Sequence, residues 1–194
     1  MRTLVAKGKR GIVYREGTIA IKVCNERATT NTLEHEYHML QELADSGFTP
    51  KPITYEGAEL AMEFIEGITI EDYIVQEESA KVRHVLQTCL QHCRELDRRQ
   101  MNKFEMNHPP KHIIIRDHKP IFIDFERVRK TPRPKNVNQF VQYLTSTRIE
   151  KLLREKNIII DKTSITLLAQ TYKESYDENV FQELLASVSF IKRS

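Results

Sequence analysis

A hairpin over residues 112–126 carries the clearest chemical signal in the sequence, because two apolar runs joined by a polar turn end in a carboxylate, Asp124. A buried strand pair would hold this acid at a fixed edge, as a metal-binding group requires. About a hundred residues upstream, Lys22 directly follows the apolar residues 19–21. A lysine held on an apolar strand is the complementary half of a phosphate site.

Lys22 needs a counter-charge if its strand is buried, because lysine is rarely buried without one. Glu36 lies on the helix predicted over residues 31–45 and can provide that charge. The alternative is that Lys22 reaches solvent at a strand end and that Glu36 lies on a solvated helix face. Gly8 and Gly11 bracket a turn that could fold over phosphates, and a plain β-turn is the preferred interpretation of this segment by itself.

Short strands joined by tight turns dominate the first third of the chain. Residues 3–24 alternate apolar and polar positions around three glycines, which predicts three strands. Residues 31–45 place apolar side chains at helical spacing, with Thr30 or Asn31 as the N-cap. Two further strands are predicted near residues 53–55 and 59–64. These elements make a five-stranded antiparallel lobe with one helix.

Helices dominate the rest of the chain. Residues 69–99 are almost free of Gly and Pro and repeat apolar side chains at helical spacing. After the hairpin, three helices are predicted over residues 136–155, 162–175 and 178–190, and Asp161 and Asp177 are positioned to start the last two.

The sequence therefore predicts an α+β protein in which two lobes share one domain. Residues 1–66 form the β-rich N-terminal lobe and residues 67–194 the helical C-terminal lobe with the embedded hairpin. Ligands usually bind in the cleft between two such lobes.

Composition narrows the partners and the compartment. The formal net charge of +3 is too small to argue for a nucleic-acid partner, but the basic stretch 127–135 is either a solvated loop or a surface that binds RNA. The three cysteines lack the spacing of a disulfide framework or a metal site. No apolar run is long enough to span a bilayer, and the N-terminus lacks the pattern of a signal peptide. We therefore expect a cytoplasmic protein without disulfides.

The order of these elements resembles the protein-kinase fold. Residues 19–22, Ile-Ala-Ile-Lys, resemble the V-A-I-K strand motif, and residues 60–67 resemble the hinge. Residues 123–126, Ile-Asp-Phe-Glu, resemble the segment with the D-F-G motif, although Glu126 replaces the glycine. The resemblance implies a two-lobed kinase-like fold, with a five-stranded antiparallel N-terminal lobe, one helix and a minimal helical C-terminal lobe.

The same resemblance implies ATP and Mg²⁺ as cofactors and assigns residues to them. Lys22 would contact the nucleotide phosphates and pair with Glu36, and Asp124 would bind the metal. The other implied nucleotide-binding residues are Gly8, Gly11 and Val13 in the glycine turn and the following strand, and the main chain of Glu63 and Ile65 in the hinge.

The catalytic loop departs most from the kinase pattern. Residues 103–112 stand where the family has H-R-D-x-x-x-x-N, and an ungapped alignment puts Asn107 at the catalytic acid and His112 at the Mg²⁺-binding asparagine. Alignment from the preceding helix puts Glu105 at the acid instead, and a glutamate can accept a hydroxyl proton. Glu105 is the preferred candidate and Asn107 stays open. His112 is either a metal ligand or a structural residue, and Lys111 would neutralise the transferred phosphoryl group.

The abbreviated plan resembles the RIO-like and KEOPS-associated small atypical kinases, and most closely a group of predicted archaeal Ser/Thr kinases. Residues 111–114, 123–127 and 134–140 carry that closer resemblance. It implies a serine/threonine protein kinase with weak or self-directed activity that acts on a protein substrate or partner. The alternative is a nucleotide-binding pseudokinase, or an ATPase-like switch, that docks on an RNA or protein assembly. A small-molecule kinase ranks last, because that class usually has an intact H-x-D loop.

Overall fold

The computed structural model describes residues 1–8, 11–24 and 32–188, and these form an α+β fold of strands and α-helices. Two compact units are present: Met1–Gly67 with Ile121–Val128, and Ile68–Pro120 with Arg129–Ser194. The sequence assigned residues 121–128 to the second lobe, whereas the structure groups them with the first unit. Each unit is described by itself below.

The first unit is built on the five-stranded antiparallel sheet that the sequence predicted. Its strand order is β1-β2-β3-β5-β4. The strands are β1 (Thr3–Lys7), β2 (Gly11–Glu16), β3 (Ile19–Cys24), β4 (Pro52–Glu56) and β5 (Glu59–Glu63). Gly17 and Gly57 have φ values of 61° and 57°, so the two tight turns use the left-handed backbone that glycine adopts without strain.

One helix, α1 (Leu33–Glu42), completes the first unit and turns Leu33, Met39 and Leu40 into its core. Glu36 is buried on the same helix. The helix is shorter than the predicted 31–45, because the chain leaves the helical path after Leu43. The predicted N-caps, Thr30 and Asn31, lie outside the described residues.

Residues 121–128 are tied to the first unit by backbone and ring contacts. Phe122 N–H donates to the carbonyl oxygen of Phe48 over 2.8 Å, and the two rings pack edge to face with centroids 5.7 Å apart. His35 Nε2, on α1, lies 2.6 Å from the carbonyl oxygen of Val128. A carbonyl can only accept, so His35 carries a proton on Nε2. These contacts fix both ends of the segment that contains Asp124.

The second unit is mostly helical. Its helices are α2 (Ile70–Gln76), α3 (Ser79–Arg98), α4 (Asn136–Leu144), α5 (Thr147–Glu155), α6 (Lys162–Ser175) and α7 (Glu178–Ser187). Its short strands are β6 (Ile68–Thr69), β7 (Met101–Asn102), β8 (Ile113–Arg116) and β10 (Arg129–Lys130), and a 3₁₀ turn spans Phe104–Asn107. Strand β9 (Lys119–Phe122) begins in this unit, and the chain leaves the unit after Pro120.

The helical region predicted over residues 69–99 contains two helices, α2 and α3. Thr69 caps α2 by accepting a hydrogen bond from Asp72 N–H over 3.1 Å. Glu77 and Glu78 then have extended backbone, with ψ values of 163° and 154°, and separate α2 from α3. No glycine or proline marks this break in the sequence.

The helix predicted over residues 136–155 is also divided, into α4 and α5. Thr145 Oγ1 donates to the carbonyl oxygen of Val141, and Ser146 Oγ donates to that of Tyr143. Hydroxyls that bond back to the preceding turn compete with the helix, and Ser146 has an extended ψ of 145°. The Thr-Ser pair therefore ends α4.

The last two helices begin where the sequence predicted. Asp161 accepts backbone N–H bonds from Thr163 and Ser164, and Asp177 accepts them from Asn179 and Val180. Each aspartate is the N-cap of its helix. The predicted end of α7 at residue 190 lies outside the described residues.

A buried polar link joins α3 to the start of α4. Asp97 accepts hydrogen bonds from the backbone N–H and the side-chain amide of Asn136, at 3.0 and 2.7 Å. Asn136 Oδ1 in turn accepts from Lys103 N–H over 2.7 Å. Burial raises the pKa of Asp97 to about 6, although these donors act in the opposite direction. The link ties the first residue of α4 to the end of α3 and to the backbone of Lys103.

The hairpin of β8 and β9 is shorter than predicted. Asp117 and His118 form its turn with φ values of 50° and 60°, as a two-residue type I′ turn requires. Strand β9 ends at Phe122, so Asp124 lies beyond the strand and not within it. The sequence predicted a hairpin that ends in this acid, and the strand pair stops two residues before it.

Candidate functional site

Lys22, on β3, is surrounded by three carboxylates within the first unit. Its Nζ lies 2.7 Å from Glu36 Oε2, 2.9 Å from Asp124 Oδ1 and 3.2 Å from Glu126 Oε2. Only 9% of the lysine side chain is exposed. An ammonium has three donors, so the three acids can satisfy it completely.

The charges in this cluster act strongly on one another. Burial by itself would lower the pKa of Lys22, but Glu36, Asp124 and Glu126 outweigh it and hold that pKa above its usual value. Burial raises the pKa of Glu36, as does the neighbouring Asp124, while Lys22 opposes both. With all groups ionised, three carboxylates face one ammonium, and two negative charges are in excess.

Glu36 connects the helix to both sides of the cluster. Its side chain is fully buried, one oxygen accepts from Lys22 Nζ, and the other accepts from Phe125 N–H over 2.9 Å. Both partners are donors, so the carboxylate form of Glu36 fits the site without a proton. The alternative in which Lys22 and Glu36 face solvent does not describe this geometry.

Asp124 has a left-handed backbone, with φ at 65°. This region costs an ordinary L-residue roughly 1 kcal/mol, and the neighbouring contacts must hold it there. Phe125 provides such a contact, because its ring is fully buried and its N–H is bound by Glu36. The Asp124 side chain is 36% exposed, which makes it the most accessible acid of the cluster.

An apolar strip lies on the same face of the sheet as Lys22. Directly paired residues in neighbouring strands share a face, and Val13 pairs with Lys22, Lys22 with Leu60, and Ala20 with Met62. Gly11 lies beside this strip, and a Cβ there would come within 3.0 Å of the Val23 carbonyl oxygen and 3.6 Å of Lys22 Cε. The sheet therefore presents small and apolar side chains next to one buried cation.

The segment after β5 uses part of its backbone within the first unit. Glu63 N–H donates to the Lys51 carbonyl oxygen, and Phe64 N–H donates to the Thr18 carbonyl oxygen, both over 2.8 Å. Ile65 follows these two residues. The backbone N–H of Glu63 is thus already bound within the first unit. A backbone hydrogen bond from Glu63 to a ligand would therefore have to use its carbonyl oxygen.

The donor set around Lys22 fits a hard divalent cation. One oxygen each of Glu36, Asp124 and Glu126 lies within 4.8 Å of the others. Carboxylate oxygens are the ligands that Mg²⁺ and Ca²⁺ prefer. Because both oxygens of Glu36 already bind donors, Asp124 and Glu126 are the two acids whose chemistry fits the metal.

The remaining predicted site residues belong to the second unit. Glu105 lies in the 3₁₀ turn with 16% of its side chain exposed, and its Oε2 is 3.8 Å from Nζ of the buried Lys103. Asn107 ends the same turn and is exposed. Lys111 is exposed, whereas His112 is half-buried and donates its backbone N–H to the Pro109 carbonyl oxygen over 2.7 Å.

Sequence reasoning missed two residues of these clusters, Glu126 and Lys103. Glu126 was noted only as a departure from glycine, and its contact with Lys22 depends on how residues 121–128 pack. Lys103 is fully buried. The one signal for it is its place directly before the loop that departs from the kinase pattern.

The basic stretch is exposed where it lies in the second unit. Arg129, Lys130, Arg133 and Lys135 are all exposed, and the guanidinium of Arg129 lies 5.9 Å from the centroid of the Phe104 ring, which is 44% exposed.

The three cysteines are described and none is in a disulfide. Among the described residues, no helix has the length and apolar character needed to cross a membrane.

The fold and the acid-bound lysine define a kinase-like protein, and comparison with known proteins identifies the family. The RIO domain family matches residues 6–144, and the chain belongs to this family of atypical kinases. A solved structure described as the Rio2 kinase-ADP/Mg²⁺-phosphoaspartate complex from Chaetomium thermophilum has the same fold, with a TM-score of 0.58 at 13% identity. The match covers 96% of this chain and 69% of that one. No curated protein matches the sequence.

Proposed function

We propose that the chain is an ATP- and Mg²⁺-dependent phosphotransferase, an atypical serine/threonine protein kinase with weak or self-directed activity. The observation that carries the proposal is Lys22, buried on an apolar sheet face and held by Glu36 and Asp124. A rigid lysine of this kind binds nucleotide phosphates, and an acid beside it binds the metal. The similar Rio2 structure is a complex with ADP and Mg²⁺, which supports the same ligands here.

In this proposal the first unit binds the nucleotide. Lys22 contacts the phosphates, and Glu36 fixes its direction. Val13, Gly8 and Gly11 cover the nucleotide. The carbonyl of Glu63 and the amide of Ile65 bind the adenine edge, a division of roles that agrees with the use of Glu63 N–H inside the unit.

Asp124, with Glu126, would hold Mg²⁺. The metal would neutralise the charge that develops on the phosphoryl group. The metal would also offset the excess negative charge of the cluster, since one ammonium balances only one of three acids.

The second unit would serve the acceptor. Glu105 is the proposed base for the acceptor hydroxyl, with Asn107 as the alternative at that position. Lys111 would neutralise the transferred group, and His112 is retained as a candidate metal ligand. These roles rest on the resemblance of residues 103–112 to a catalytic loop and on the exposure of Lys111.

Radiolabelled ATP tests the proposal. We expect slow Mg²⁺-dependent incorporation into the chain or an added protein, and at least about a hundredfold less with Asp124→Asn. Lys22→Ala gives a second variant, and Glu34→Gln, an exposed change on α1, is the matched control. The label should be divided into acid-stable phosphate, expected for Ser or Thr, and hydroxylamine-labile phosphate, expected for an acyl phosphate such as the one in the Rio2 structure.

Two results would contradict the proposal. One is equal incorporation by the wild type, Asp124→Asn and Lys22→Ala. The other is incorporation that continues unchanged in EDTA. Circular dichroism of each variant separates a lost site from a lost fold.

A second function is favoured by the exposed basic stretch beside Phe104. In this alternative the chain binds a nucleotide without transferring phosphate and docks on an RNA or protein assembly. Steep salt dependence of RNA binding, lost in an Arg129→Gln, Lys130→Gln double variant, would support it. ATP binding without any incorporation of label completes the distinction from the kinase.

A further inference from the structure

Glu126 places a carboxylate on Lys22 at a position where the kinase motif has glycine. Its Oε2 is 3.2 Å from Lys22 Nζ, and only 10% of the side chain is exposed. The same oxygen lies 3.5 Å from Thr32 Oγ1, at the N-cap of α1. A glycine would leave this side of the ammonium open to a ligand.

A phosphate oxygen that binds Lys22 must take the place of one of the three acids. Glu36 is the least able to leave, because it is fully buried and its second oxygen binds Phe125 N–H. Glu126 has the longest contact of the three with the ammonium. It is therefore the acid that a phosphate would replace.

The displaced carboxylate would then lie beside a polyanion. Like charges a few ångströms apart repel strongly where water is partly excluded, and salt screens such a pair less than an exposed one. A divalent cation relieves this repulsion, because it can bind the phosphate and the carboxylate together.

We propose that Glu126 is a positioning residue that holds Lys22 in the nucleotide-free protein, competes with the nucleotide phosphate for it, and thereby makes nucleotide affinity depend on a divalent cation. This role rests on the proposed nucleotide binding. It assigns a function to the residue by which the chain departs from the glycine of the kinase motif.

Equilibrium binding of ADP tests the role without any measurement of activity. Titration calorimetry in Mg²⁺ and in EDTA gives two dissociation constants for each protein, and their ratio measures the dependence on metal. We expect the ratio to fall at least about tenfold in Glu126→Gln, mainly because ADP binds more tightly in EDTA.

Two further variants separate charge from contact. Glu126→Asp keeps the charge on a shorter arm, so it should retain most of the wild-type ratio. Glu34→Gln removes the same charge from an exposed position on α1, also in the first unit, and should leave the ratio within about twofold.

The outcomes distinguish this role from the proposed function. A wild-type protein that binds no ADP in Mg²⁺ overturns both. A wild type that binds Mg²⁺ and ADP, with the same ratio in Glu126→Gln, overturns the role of Glu126 alone. An equal fall in Glu126→Gln and Glu34→Gln also overturns it, because the effect would then follow net charge and not the contact with Lys22.

Discussion

Phe125 N–H donates to Glu36 Oε1 over 2.9 Å, so the residue after Asp124 is bound directly to helix α1. The other oxygen of the same carboxylate accepts from Lys22 Nζ. One buried side chain thus joins the helix, the sheet and the acidic segment. Loss of this carboxylate would disturb all three together.

Glu36→Gln should lower the free energy of unfolding by about 3 kcal/mol, since breaking a buried pair leaves a charge without its partner. The glutamine amide would present N–H groups to Lys22 or to Phe125 N–H, both of which are donors. Urea denaturation measures the change. Glu34→Gln, exposed on the same helix, should change stability by less than about 0.5 kcal/mol, and equal losses in the two variants would contradict the prediction.

Lys22→Met should make the thermal stability of the protein respond to Mg²⁺. Without the ammonium, three carboxylates with oxygens within 4.8 Å of one another repel, and a cation that binds only the folded state stabilises it. We expect millimolar Mg²⁺ to raise the melting temperature of Lys22→Met by more than that of the wild type. Addition of Asp124→Asn should reduce this response, and a response of the same size in all three proteins would argue against it.

The pKa of Asp97, raised by burial from 3.8 to about 6, predicts a pH dependence of stability. The folded state binds a proton more tightly than the unfolded state, so this contribution is complete below about pH 4 and is lost as pH rises through 6. A shift of this size is worth about 3 kcal/mol. Urea denaturation between pH 4 and pH 7 should show a smaller difference between Asp97→Asn and wild type at low pH than at high pH.

Asparagine suits that comparison because it keeps an oxygen that can accept from the side-chain amide of Asn136, as Asp97 Oδ1 does over 2.7 Å. It carries no titrating proton. If Asp97→Asn followed the same pH profile as the wild type, the raised pKa would be assigned to the wrong group.

Ala58→Gly should stabilise the protein by roughly 0.5 to 1 kcal/mol, because Ala58 has a left-handed φ of 66° in the turn between β4 and β5. Its neighbour Gly57 has a φ of 57°, so Gly57→Ala should be destabilising by about 1 kcal/mol. Urea midpoints of the two variants should therefore move in opposite directions. A fall in stability for Ala58→Gly would show that the turn is not strained at this residue.

Local signals explain why some elements were predicted well. Asp161 and Asp177 are N-caps whose side chains bind two backbone N–H groups each, and this preference can be read from neighbouring residues alone. The sheet followed from alternating residues between glycine turns. The break between α2 and α3 carries no such signal, because two glutamates there adopt extended backbone without Gly or Pro.

Tertiary packing decides the rest of the site. The spacing of Lys22, Glu36 and Asp124 along the chain indicated a shared cluster through resemblance to kinases, and the structure brings their side chains together. The contact between Glu126 and Lys22 and the left-handed backbone of Asp124 are both found only in the folded chain, and no local pattern indicates either. Burial of Lys103 is likewise a property of the folded second unit.

The insertion of Ile121–Val128 into the first unit has a consequence for synthesis of the chain. A ribosome completes residues 1–67 well before Phe122, Asp124 and Phe125 leave its exit tunnel, and the intervening residues belong to the second unit. Until then Lys22 lacks its contact with Asp124, and Glu36 lacks the Phe125 N–H that it binds in the finished fold. The first unit is thus the first to begin translation but cannot finish folding until Val128 has been added, after most of the chain has been made.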